Sequence, residues 1–162
     1  MSSEVITPAE DALCSIERTV AVVGDKWSFL ILRETLLEGR TRFADFVEAL
    51  GISPSILTNR LELLVSSGVL EKKEYREKGS RPRQSYHPTP AGLQLKVVLG
   101  ALQQWGDDFL APSVGRTTDR RAEQSAASVR VGFVEDPAVI VPPDQVDFVH
   151  LPTHPLFAAD RA

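Results

Sequence analysis

At 162 residues, 43% of them apolar and 25% charged, the chain has room for one globular domain with a real core but not for two full ones. No run of about eighteen apolar residues could span a bilayer. The N-terminus MSSEVITPAEDAL has neither the basic start nor the apolar core of a secretory signal, so a cytoplasmic protein with no membrane partner is expected. The one cysteine, Cys14, excludes an internal disulfide and a multi-cysteine metal site, and a net charge of -4 with pI ≈ 5.4 excludes a protein that is basic throughout, though not a local basic patch.

The first predicted element is a helix. Thr7-Pro8-Ala9-Glu10 is a capping box with proline at the first helical position, so a helix is expected over residues 8–23, stopped by Gly24. Leu13, Ile16, Val20 and Val23 recur at spacings of three and four and form its core face. Cys14 projects away from that face, with Glu10 one turn before it and Arg18 one turn after. It reads either as a small residue covered by a second packing surface or as an accessible thiol. Asp25 caps a scaffold helix over residues 26–37, given an apolar body by Trp27, Leu30, Ile31 and Leu32 and ended by Glu38-Gly39.

Residues 42–50 repeat the helical pattern with Phe43, Phe46, Val47 and Leu50 as the buried set, and Gly51 turns the chain into Ser53. Ser53 is a good N-cap, Pro54 suits the first helical position, and Gly68 ends the helix that follows. Two short helices joined through a glycine turn are the helix-turn-helix signature, although unrelated proteins contain such pairs. In the second helix, residues 54–67, Leu57, Leu61, Leu64 and Val65 gather on one face and Ser55, Thr58, Asn59, Glu62 and Ser66 on the other. That polar face fits a solvated surface and equally fits contact with base edges, asparagine being able to pair with adenine through two bonds.

A strand begins at Val69 and Leu70. Residues 71–84 hold six cations, Lys72, Lys73, Arg76, Lys78, Arg81 and Arg83, against Glu71, Glu74 and Glu77, a local excess of positive charge in an acidic chain. Gly79-Ser80-Arg81-Pro82 is turn chemistry between two strand-like runs, so the cations gather near a hairpin tip that could reach a phosphate backbone or an acidic protein partner. The order helix, turn, helix, basic hairpin reads as a winged helix-turn-helix.

Thr89-Pro90 repeats the cap-then-proline device and opens a long helix to about residue 110. Leu95, Val98, Leu102, Trp105 and Phe109 step by three, four, three and four, a seam for another helix: the chain's own first helix or that of a second copy. Residues 112–128 are polar and read as a linker. Residues 129–134 alternate like a strand, 139–141 form a short apolar run, and Pro142-Pro143-Asp144 turns the chain into a strand over 146–149, giving a small docked hairpin. His150 and His154 have Pro152 between them and no third ligand near, so no metal is expected. With no glycine-rich phosphate loop and no nucleophile-base pattern, neither a cofactor nor an enzymatic activity is expected.

Several motifs then fall in a familiar order: Cys14-Ser15-Ile16-Glu17-Arg18, Gly24-Asp25-Lys26-Trp27 with Ile31-Leu32-Arg33-Glu34, Arg42-Phe43, Gly51-Ile52-Ser53 with Leu57-Thr58-Asn59-Arg60-Leu61, and Tyr86-His87-Pro88-Thr89 before Gly92. The set resembles the HxlR family, bacterial winged helix-turn-helix transcription regulators related in fold to the MarR type. The resemblance covers roughly residues 12–110. It implies a homodimer whose terminal helices pair, with the helix after Ser53 in the major groove and the wing alongside, and with Cys14 at the position where several members sense oxidants, quinones or aldehydes. Three positions depart from the pattern. Ser15 stands where many relatives have proline, and Ser55 and Glu62 stand where basic residues are common.

The expected fold is therefore mostly α with a small β wing (α+β): a winged helix-turn-helix domain over residues 1–111 with N- and C-terminal dimerisation helices, and a linker and β-rich extension over 112–162. The expected partners are double-stranded DNA and a second copy of the chain. Phosphates fall to Arg42, Arg76, Lys78, Arg81 and Arg83, with Arg60 as a further contact, and base edges to Ser55, Thr58 and Asn59 behind the cap Ser53. Leu95, Val98, Leu102, Trp105 and Phe109 form the dimer seam. Control falls to thiol modification of Cys14 by an oxidant or electrophile, the alternatives being a small aromatic effector in the dimer cleft or a winged helix that binds protein.

Overall fold

The computed structural model describes residues 15–79, 81–110, 113–132 and 145–150. Within these the order is α1 (Ser15–Val23), α2 (Lys26–Leu36), α3 (Phe43–Leu50), α4 (Pro54–Ser66), β1 (Leu70–Tyr75), β2 (Arg83–Pro88), α5 (Pro90–Phe109), β3 (Thr118–Ala122) and β4 (Val146–His150). The chain divides into two compact units, one ending at Leu93 and the other starting at Gln94, inside α5. Mixed helices with small antiparallel hairpins are the α+β winged-helix class that the sequence predicts.

In the first unit the local chemistry sets each boundary. Gly24 closes α1 by donating to the Val20 carbonyl, and Asp25 caps α2 by accepting from the amides of Trp27 at 2.9 Å and Ser28 at 3.2 Å. Ile31 and Leu32 of α2, Phe46 of α3 and Leu57, Leu61 and Leu64 of α4 are fully buried and form the core. Leu63 joins them at 8% exposure, and α4 is also in contact with β1. One buried charge sits in this core: Glu34, satisfied by the guanidinium groups of Arg33 and Arg40.

The stripe on α1 departs from expectation. Leu13, like the capping box, lies outside the described residues. Of the others only Val23 is buried, while Ile16 and Val20 are 74% and 56% exposed. Periodicity places these residues on one face but does not say what covers it, and α1 meets α2 and α4 through its C-terminal end.

Gly51 takes the left-handed conformation, φ 59, that the turn between α3 and α4 requires. The wing is an antiparallel pair with Leu70 opposite Pro88 and Tyr75 opposite Arg83. A third segment lies along it, with Arg42 bridged to Ser85 and the Tyr86 amide donating to the Thr41 carbonyl at 2.7 Å. The Thr89 hydroxyl donates to the Gly68 carbonyl at 2.6 Å, and the same oxygen accepts from the Gly92 amide at 3.1 Å, capping α5. A Cβ on Gly92 would stand 2.1 Å from the Val69 carbonyl oxygen, so only glycine fits.

In the second unit β3 and β4 pair antiparallel, Thr118 opposite His150 and Ala122 opposite Val146. Ala127 to Val129 run along the other side of β3. Here the segment expected to be a linker contains a strand, whereas Val129 to Gly132 form no strand. The reason is Arg120: it is 3% exposed, packed beside Gly100 of α5 with Asp107 at 3.5 Å, so a polar side chain in this stretch serves as a buried anchor. Gln104 donates to and accepts from the Val131 backbone at 3.0 Å, and Gln103 and Lys96 donate to the Thr118 and Val146 carbonyls. The apolar run over 139–141, the Pro142-Pro143-Asp144 turn and His154 lie outside the described residues.

Candidate nucleic-acid interface

Helix α4 presents one face of its first two turns to solvent. Ser53 sits at φ -66, ψ 143, the extended conformation of an N-cap, and its hydroxyl accepts from the Ile56 amide at 3.4 Å and lies 3.3 Å from the Ser55 hydroxyl. Thr58 donates to the Pro54 carbonyl at 2.9 Å, which leaves its oxygen able to accept. Ser55, Thr58 and Asn59 are all exposed. Chemically, this face offers amide and hydroxyl groups together with the positive end of a helix dipole, a combination suited to base edges and to a phosphate.

Arg60 behaves differently. It is half-buried, its Nε 3.3 Å from the Asp25 carboxylate and without a well-angled hydrogen bond. The one cation of α4 is thus directed to the cap of α2. Glu62 is exposed on the same helix and acts on Tyr86 of β2, whose phenol is held above its ordinary 10.0 by burial first and by the Glu62 charge second.

The wing carries the charge. Lys72, Lys73, Arg76, Lys78, Arg81 and Arg83 are all exposed, and Gly79 at φ 83 turns the tip. Lys73 pairs with Glu71 on its own strand at 2.9 Å. Arg42, just ahead of α3, belongs to this region too: its Nη1 donates to Glu77 Oε1 at 2.9 Å, and its guanidinium stands 4.9 Å from the centre of the Tyr75 ring. The sequence placed Arg42 as a phosphate contact but missed both partners, which are more than thirty residues away and carry no spacing signal. The same holds for Asp25 and Arg60.

On α5, Leu102, Trp105 and Phe109 are 49%, 56% and 70% exposed, Leu95 and Val98 are half-buried, and the Trp105 and Phe109 rings lie 5.6 Å apart. The hairpin of the second unit contacts the other side of this helix through Lys96, Gly100, Gln103 and Gln104. Cys14 lies outside the described residues. Among those residues no helix is long and apolar enough to cross a membrane.

Comparison with known proteins places these features. The profile described as HxlR-like helix-turn-helix matches residues 22–114. The HTH-type transcriptional regulator Mb3122 of Mycobacterium bovis is 38% identical over 97 residues, 59% of this chain and 59% of that protein, so the match spans less than two thirds of this relative's length. Among solved structures, PA1607, titled a candidate transcription factor, is 35% identical with a TM-score of 0.67 and is matched over 81% of this chain and 89% of that one. The redox regulator HypR in its reduced form is 25% identical with a TM-score of 0.52, over 59% of this chain and 92% of that one.

Proposed function

The chain belongs to the HxlR-like helix-turn-helix family, and on that premise we propose that it is a transcriptional regulator that reads a specific duplex sequence as a homodimer. The observation that carries this reading is a capped, polar α4 in the same unit as a wing whose cations are exposed, within a chain of net charge -4. Arg42, Arg76, Lys78, Arg81 and Arg83 hold phosphates, and the N-terminus of α4 adds the attraction of its helix dipole. Ser55, Thr58 and Asn59 meet base edges. Arg60, engaged with Asp25, contributes to the pose of α4 more than to the phosphate contacts. A cytoplasmic place of action follows from a DNA target.

A second copy is the natural cover for the exposed α5 seam of Leu102, Trp105 and Phe109, flanked by Leu95 and Val98; Ile16 and Val20 on α1 support the same conclusion separately. The functional module in this reading is residues 1–111, with α5 included as the dimer helix, and 112–162 is an accessory extension. Two-fold symmetry sets the half-sites about one turn of duplex apart, roughly 34 Å. The test is selection of sites from random duplex with the full chain, combined with a salt titration. A recovered inverted repeat and a steep fall of affinity with salt support the reading; salt-insensitive binding with no preferred site overturns it.

A second reading, favoured by likeness to the redox regulator HypR, adds control through the Cys14 thiol. Arg18, one turn further on, donates to the Ser15 hydroxyl at 2.9 Å. Loss of oxidant response in a Cys14→Ser variant, measured as DNA binding, supports this control. An unchanged response removes it and leaves a non-covalent effector in the dimer cleft as the rival.

A further inference from the structure

Resting on the DNA-binding reading above, we propose that Glu77 is an internal stand-in for a duplex phosphate: its carboxylate occupies and orients Arg42 in the free protein, and a phosphate replaces it on binding. Arg42 is the residue before α3, where a guanidinium, having only donors, cannot cap the helix amides. Instead its backbone is bridged to Ser85 of β2 and its guanidinium is held from two directions, the Glu77 carboxylate along one edge at 2.9 Å and the Tyr75 ring 4.9 Å away.

An edge contact and a ring contact divide the group's capacities. A guanidinium recognises carboxylate or phosphate through its N–H edge and an aromatic ring through its face, so the edge can change anions while the ring keeps its hold. Access is open, the Arg42 and Glu77 side chains being 50% and 48% exposed. An exposed pair of this kind is weak, which makes the exchange cheap. Lys73 differs, since its partner Glu71 is two residues away on the same strand, whereas Glu77 ties the wing loop to the start of α3. Glu77 is thus a positioning residue with a cost: its bond to Arg42 must break before a phosphate can take the guanidinium edge. It therefore lowers affinity for every duplex alike.

The test is a double-mutant cycle in the full chain, with Glu77→Gln, Arg42→Gln and the double variant binding a random-sequence duplex followed by anisotropy across a salt series, and circular dichroism verifying the fold. Glu77→Gln is expected to bind roughly two- to fivefold tighter, the range of an exposed ion pair, with the wild-type salt slope. Arg42→Gln is expected to bind more weakly with a slope smaller by about one. In the Arg42→Gln background the Glu77 gain should largely vanish. Glu74→Gln, an exposed wing glutamate outside the ion pairs, serves as the control whose effect is the same in both backgrounds. An equal Glu77 gain in both backgrounds, or none in either, overturns the exchange. A wild-type protein without salt-dependent duplex binding defeats the DNA-binding reading itself.

Discussion

Helix α4 and the wing are held in unlike ways. Three fully buried leucines, Leu57, Leu61 and Leu64, seat α4 in the core, and its one cation is turned toward Asp25. The wing has Ser85, the base of its strands and the exposed Arg42–Glu77 pair for anchorage, and its tip is rich in exposed charge. Geometry and field are thus supplied by separate parts: α4 has a fixed pose with little charge, and the wing has charge on a lightly anchored ribbon. A regulator built this way gains sequence discrimination from the first and most of its salt-dependent affinity from the second.

The largest effect that tests the contrast is on the core side. Leu61→Ala leaves a void beneath α4 and should cost about 2–5 kcal/mol of folding stability, read by chemical denaturation; a loss near zero would mean that α4 is not seated as described. Next is Asn59→Ala, expected to leave stability alone and relax preference at about one base pair by roughly 1–3 kcal/mol, measured by comparing selected and substituted sites.

Arg81→Ala should do the converse, weakening binding to all sequences alike and reducing the salt slope by about one, with the melting temperature unchanged. If Arg81→Ala altered the preferred sequence, or Asn59→Ala altered only the slope, the division of labour would be wrong.

The smallest effect concerns Tyr86, where the two regions meet. Burial, helped by Glu62, holds its phenol above 10.0. The folded state therefore keeps a proton that the unfolded chain releases, so its contribution is whole below pH 10.0 and is lost as pH rises through the folded value. Tyr86→Phe should flatten that alkaline decline in a denaturation series, and Glu62→Gln should make it smaller and end it at a lower pH.

Much of the reading head was legible because punctuation residues carry local meaning. Gly51, Ser53, Pro54 and Gly68 each dictate a backbone conformation within a few residues, and each falls where that dictate puts it. Contacts across the topology left no such trace. Nothing in the spacing of Arg42, Tyr75 and Glu77, or of Asp25 and Arg60, could pair them, because the pairing depends on how the wing folds back and how α4 crosses α2. Composition misled in one place: Thr118-Asp119-Arg120-Arg121-Ala122 is polar, yet Arg120 is almost wholly buried against α5. Periodicity, in turn, identified the stripe on α1 but not that Ile16 and Val20 face solvent.

The join at Thr89 and Gly92 has a mechanical consequence. The threonine that starts α5 holds the carbonyl of the glycine that ends α4, and two residues beyond Pro90 the helix backbone touches Val69 so closely that a methyl group does not fit. A joint this tight works as a gear tooth rather than a hinge: a turn of the first winding of α5 must drag the tail of α4 with it.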